Sequence, residues 1–221
     1  MTDIDHKIQL SNCCKLLAAC FYEPDKELFV QENLCANLAS SLSASGYEDA
    51  SRAAIAMQAA LEASDGEEMQ VEYARLFVGP FNLVAPPYGS VYLENKRMLM
   101  GDSTVAVLKM YQDAGLKLDI QEAPDHIALE LEFLHFLCFR EAQALTQEEM
   151  DQVHFFSGIR ITFQRKCLAP WVGKFCNNIR KGTENSFYTA LADCLEPFVK
   201  QMTSGDELDQ QEAIHDCRAA V

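Results

Sequence analysis

The sequence has no CxxC pair, no segment that alternates apolar and polar residues over a useful length, and no apolar run approaching the ~18 residues of a membrane span. A Gly-rich phosphate loop and a GxSxG elbow are missing too. These absences exclude a sheet-based fold, a helical membrane anchor, a CxxC-type zinc or redox site and the common nucleophilic hydrolases. Positive charge is also scarce: 18 Lys and Arg stand against 33 Asp and Glu, a formal charge of −15. Such a balance disfavours a nucleic-acid partner and favours a basic one. The N-terminus carries acidic residues early and lacks an apolar core, so no signal peptide is expected and a cytoplasmic location follows.

What is present fits one globular unit. Hydrophobic residues make up 49% of 221 and charged residues 23%, enough for a sizeable core. The nine cysteines are odd in number and sit mostly among apolar residues at helical positions, which suits free core thiols in a reducing compartment better than a disulfide framework.

The expected organising element runs from Pro124 to Leu145 and is apolar almost all round, as a helix buried on most sides is. Pro124 and Asp125 are expected in its first turn, where a proline fits and a carboxylate meets the positive end of the helix dipole. His126 and Glu130 lie four apart, and Glu132 and His135 three apart, so each pair can share a helix face.

Before it, helices are expected over Ile4–Phe21, Asp25 to about Ser40, Tyr47–Ala63 and Glu67 to Gly79, with 41–46 as a linker. From Gly79 to about Leu93 three prolines, two glycines and three aromatics resist a helix but offer contact surface. Asp102 and Ser103 cap a helix that stops at Gly115. After the central element, Thr146 to Glu149 reads as a capping box opening a helix to Leu168. Pro170–Lys181 follows as a separate helix, and Ser186 to about Met202 as the last, broken or kinked at Pro197. Residues 204–221 read as an acidic tail with little to hold it in place. The expected class is an all-α, single-domain bundle of about eight to ten helices over 1–203.

One metal reading is available. Glu132 with His135, and Glu212 with His215, both have the Glu-x-x-His spacing that carboxylate-bridged di-metal bundles place on facing helices. The pattern is short and recurs by chance in a Glu-rich chain, and residues 212–215 lie in the polar tail, so an enzyme of this kind is the alternative rather than the leading reading.

Three blocks point elsewhere: Glu72-Tyr-Ala-Arg-Leu-Phe77 with Gly79 and Pro80 after it, Pro87-Tyr-Gly-Ser-Val-Tyr92, and Ala123-Pro-Asp-His-Ile-Ala-Leu-Glu-Leu-Glu-Phe133. In this order and spacing they resemble the TorD/DmsD-type redox-enzyme maturation chaperones, and Leu16–Asp25 is similar to that family's N-terminal helix and turn. The resemblance implies a cytoplasmic, non-enzymatic chaperone that binds the twin-arginine signal peptide and the apo form of a molybdoenzyme of the dimethyl-sulfoxide-reductase family. It would delay export until the molybdenum cofactor is inserted, holding no stoichiometric cofactor or metal itself. The family includes dimers, so a homodimer is among the states implied.

The site residues carried over by the resemblance are Glu72, Tyr73, Arg75, Leu76 and Phe77; Pro87, Tyr88, Ser90 and Tyr92; and Pro124, Asp125, His126 and Glu130. Gly89 departs from the family, which often has a side chain there, commonly acidic. The physical reading agrees in kind: a twin-arginine peptide has a basic start and an apolar stretch, and needs an apolar groove with a carboxylate rim. Arg75 is expected to pair with a nearby carboxylate rather than with a cationic ligand.

Overall fold

The computed structural model describes residues 1–79, 83–94, 101–117 and 122–219, with the side chains of 206–219 excepted. Eleven α-helices follow in order: α1 Asp3–Ala19, α2 Lys26–Gln31, α3 Leu34–Ala44, α4 Glu48–Ala63, α5 Gly66–Tyr73, α6 Gly89–Leu93, α7 Asp102–Asp113, α8 Ile127–Thr146, α9 Met150–Phe163, α10 Ala169–Gly182 and α11 Ser186–Ala219. Two π-turns follow helices: Ala74–Val78 extends α5, and Gln164–Leu168 joins α9 to α10 as one continuous rod. There are thus ten helical segments among the described residues, an all-α bundle as expected. The sole β-type pairing described is an isolated antiparallel bridge between Tyr88 and His126.

The central helix is α8. Ile127, Leu131, Phe133, Leu134, Leu137 and Cys138 are all buried, and α1 and α9 pack against it. Lys7 meets Glu141 and Ser11 meets His135, so α1 runs antiparallel to α8. Its surface is not apolar all round: Glu132 and Phe139 face outward, so the unbroken apolar run overstated its burial. The eight described cysteines are free and buried, packing as small hydrophobes. No described helix is long and apolar enough to cross a membrane.

Several boundaries differ from expectation. The helix expected from Asp25 to Ser40 breaks at Asn33, which adopts left-handed φ of 49°, and α3 then runs through the supposed linker to Ala44 with Ser41 and Leu42 buried. Ser90 to Leu93 are helical despite the turn-formers around them. Thr146 opens nothing: it ends α8, its hydroxyl donating to the Ala142 carbonyl at 2.8 Å, while Glu148 takes a left-handed φ of 57° and α9 starts at Met150. Pro170 falls at the start of α10, where its missing N–H costs nothing, so the rod from α9 continues. Similarly, α11 passes Pro197 as one helix. Gly115, with φ of 85°, does supply the left-handed stop after α7.

Candidate functional site

Asp125 and His126 precede α8 instead of occupying its first turn, and each has its own task. His126 is the N-cap, its Nδ1 accepting the Ala128 backbone N–H at 3.2 Å. With Nδ1 an acceptor, neutral His126 carries its proton on Nε2. Asp125 serves the neighbouring helix: its Oδ2 accepts the Ser90 N–H at 2.7 Å, and its carbonyl accepts the Gly89 N–H at 2.9 Å. The Pro87 carbonyl in turn accepts the Ile127 N–H at 2.8 Å. Residues 87–90 and 124–127 are therefore laced together by backbone bonds, and the bridge sets Tyr88 against His126. Pro124 is fixed from below by the buried Tyr111 hydroxyl, which donates to its carbonyl at 2.8 Å.

Above this seam three rings gather. Tyr88 meets His126 edge-on at 5.2 Å between centroids, and Tyr22, from the turn after α1, lies nearly parallel to His126 at 6.5 Å. Their hydroxyls are held by carboxylates: Tyr88 donates to Glu122 Oε1 and Tyr22 to Glu132 Oε1, each at 2.9 Å. Burial first, then these acceptors, push both phenols above their ordinary range. Tyr73, whose hydroxyl donates to the Phe21 carbonyl, is pushed up to about 12 by burial and by the charges of Glu23 and Glu122. Burial also lowers the pKa of His126, against the opposing pull of Glu122 and Asp125, which favours its neutral form. The surface is thus aromatic and rimmed by carboxylates, a combination that attracts guanidinium or ammonium groups.

Beneath the seam lies a buried polar layer. Asp125 and Glu130 are each only 1% exposed. Glu130 Oε2 accepts the Trp171 indole N–H at 3.2 Å, and burial, then the nearby Asp125, raises its pKa well above the ordinary value, favouring the neutral carboxyl. Asp125 Oδ1 and Ser90 Oγ have no hydrogen-bond partner among the described residues.

The sequence-derived residues fall into three groups. Tyr88, Asp125, His126 and Glu130 belong to the seam, with Pro87, Ser90 and Pro124 as its buried frame. Tyr73, Leu76 and Phe77 are core: Phe77 packs on Tyr73, Phe21, Phe175 and Tyr188. Tyr92 stacks on Trp171 at 5.5 Å. Glu72 lies apart, bonded by both its oxygens to Arg75, which also reaches the Gly182 carbonyl; this holds Glu72 below the usual carboxylate range.

Sequence reasoning passed over Tyr22, Glu122 and, as a rim residue, Glu132. Tyr22 sat within the quoted Leu16–Asp25 block, which was the available signal. Of the metal reading, Glu132 is committed to Tyr22, and His135 Nδ1 lies 2.8 Å from the Ser11 hydroxyl. The side chains of Glu212 and His215 lie outside the described residues, and no metal-ligand cluster occurs among the described ones.

Comparison with known proteins places this geometry. Residues 43–177 match the family model described as nitrate reductase delta subunit, a span that contains the seam but not Tyr22. The Tat proofreading chaperone DmsD of Salmonella typhimurium is 30% identical over 144 residues, 62% of each chain. The chaperone protein TorD of Vibrio parahaemolyticus is 26% identical over 135 residues, 60% of this chain and 61% of that one. The alignments thus span about three fifths of these relatives' lengths. A putative redox enzyme maturation protein from Archaeoglobus fulgidus has the same fold, with a TM-score of 0.51 at 22% identity over 83% of this chain and 91% of that one.

Proposed function

The chain belongs to the nitrate reductase delta subunit family, as a protein of the TorD/DmsD-like kind, and on that premise we propose that it is a cytoplasmic chaperone for a molybdoenzyme of the dimethyl-sulfoxide-reductase family. It binds the client's twin-arginine signal peptide and its apo form, assists molybdenum-cofactor insertion and delays export until the client is complete. The work is binding rather than catalysis, in keeping with the chaperone names of the relatives.

One observation carries this reading: Tyr22, Tyr88 and His126 meet between Glu122 and Glu132. A twin-arginine segment presents two adjacent guanidinium groups followed by apolar residues. Guanidinium stacks on aromatic faces and pairs with carboxylates, so one surface answers both demands. The formal charge of −15 speeds the encounter with a basic peptide and makes it sensitive to salt.

The test is isothermal titration with twin-arginine signal peptides of candidate molybdoenzymes, a twin-lysine control and a salt series. Saturable binding at about micromolar Kd or tighter, weaker for twin-lysine and at higher salt, is the expected result. Equal binding of both peptides would reject guanidinium recognition, and no binding at all would remove the peptide from the proposed function.

A further inference from the structure

The chain has one tryptophan, and it stands directly under the seam. Trp171, on α10, is 0% exposed. Three contacts tie it to both halves of the site. Its indole N–H donates to Glu130 in the first turn of α8, at 3.2 Å. Tyr92 of α6 stacks on its ring at 5.5 Å with only 19° between planes. Its edge also abuts the backbone of α6: a Cβ added at Gly89 would fall 2.9 Å from Nε1, 3.2 Å from Cε2 and 3.3 Å from Cδ1.

That last contact explains why residue 89 is glycine. Its backbone is not in the left-handed region, since the positive-φ glycines are Gly46 and Gly115, so no conformational need excludes a side chain. The exclusion is steric, and the group that imposes it is the indole.

We propose that Trp171 is the positioning residue of the peptide site: it sets how closely the segment from Pro87 to Tyr92 approaches the start of α8, and hence where Tyr88 stands relative to His126. This rests on the peptide-binding reading above. Phe175 packs on the indole at 5.4 Å and on Tyr92 at 6.2 Å, so the indole is held in a cluster of three rings and is a fixed spacer. Because Gly89 donates its N–H to the Asp125 carbonyl and Ser90 to the Asp125 carboxylate, any displacement at residue 89 is delivered to the seam. Among the described ring contacts none joins Trp171 to Tyr22, Tyr88 or His126, and it acts through Gly89 and Glu130.

The experiment is a double-mutant cycle on Gly89→Ala and Trp171→Phe, read by peptide titration and by tryptophan emission. Gly89→Ala is expected to weaken peptide binding about tenfold and to shift the emission of the single indole, because the new methyl group must displace it. Trp171→Phe, smaller but still aromatic, is expected to weaken binding about threefold. In the double variant the phenyl ring makes room for the methyl, so binding should recover to about the Trp171→Phe level.

Additive losses in the double variant, or wild-type affinity in Gly89→Ala, would overturn the proposal. Circular dichroism and thermal unfolding of each variant show whether a loss of binding is a loss of fold: Gly89→Ala that stays folded and binds weakly supports the proposal, and binding lost only in step with unfolding overturns it. If the wild type binds no peptide, the chaperone reading fails by itself. The emission of Gly89→Ala then still decides the spacer role: a shift supports it, and an unchanged spectrum rejects it.

Discussion

The two ends of α8 bury charge in opposite ways. At its C-terminal end the Glu141 carboxylate is fully buried between two cations, Arg160 Nε at 2.5 Å and Lys7 Nζ at 2.7 Å; Arg160 also donates to Gln164 at 3.1 Å, while Glu141 Oε2 and Gln164 Nε2 make no hydrogen bond among the described residues. This network ties α1, α8 and α9 together. At the N-terminal end, among the described residues, one Asp125 carboxylate oxygen and Ser90 Oγ make no hydrogen bond, and Glu130 accepts the Trp171 indole N–H while facing Asp125 rather than a cation. Both ends hold buried polar atoms without a hydrogen bond, so what separates them is charge: a carboxylate set between cations is a structural ion-pair network, whereas a buried carboxyl facing another carboxyl is the kind of perturbed group that gathers at functional sites. The C-terminal network therefore serves the fold and the N-terminal layer serves the surface above it.

The largest effect should come from breaking the ion-paired end. Glu141→Ala strands two cations in or near the core, and removing one partner of a buried pair costs about 3–5 kcal/mol. Urea unfolding should show that loss while the folded fraction keeps its peptide affinity. A loss under about 1 kcal/mol would break the comparison. At the other end, Asp125→Ala with His126→Ala removes the α8 cap and the bond to Ser90, for about 2 kcal/mol. Peptide affinity should fall by more than about tenfold. Here stability and binding part ways, which is what the assignment of the two ends requires.

This contrast was only half legible in the sequence. The core half of α8 could be read because its apolar residues follow helical spacing over several turns, and so could the Gly115 stop, whose chemistry is local. The break at Asn33 could not, since a single left-handed residue inside a helical pattern leaves no periodic trace. Nor could the supposed capping box, which has the right residue types but lies at the end of α8, where Thr146 bonds backwards. Asp125 shows the limit most clearly. Beside a helix start it reads as a helix-dipole partner, yet it serves Ser90, 35 positions earlier, and only the seam between the two segments reveals this. Tyr22, Glu122 and Glu132 converge from different elements for the same reason.

A titration sharpens the comparison further. Glu130 has a raised pKa in the folded state, so below the ordinary value of 4.5 it is protonated whether folded or not, and its contribution to stability is fully present. As pH rises above 4.5 the unfolded chain loses that proton first, and the contribution is lost progressively until the folded group also ionises. Glu130→Gln, which keeps an acceptor for Trp171, should flatten that slope. His126 works the other way: its pKa is lowered, so its contribution is present above 6.5 and lost as pH falls through the folded value. Urea midpoints against pH for Glu130→Gln and for His126→Gln would separate the two. An unchanged slope in Glu130→Gln would mean that the buried Glu130 carboxyl is as well compensated as the ion-paired Glu141.

The smallest effect separates ring from hydroxyl at the rim. Tyr22 is 41% exposed, and its hydroxyl gives one hydrogen bond to an exposed carboxylate. Tyr22→Phe should therefore change stability by less than about 0.5 kcal/mol. It keeps the face that lies along His126 and leaves Glu132 free to meet a cation directly, so peptide affinity should weaken less than about threefold. Tyr22→Ala removes the face itself and should cost about tenfold, with little loss of fold. If Phe and Ala were equally damaging, the hydroxyl bridge to Glu132 would be the feature read by the peptide. If neither mattered, the surface would narrow to Tyr88 and His126, the pair joined by the bridge.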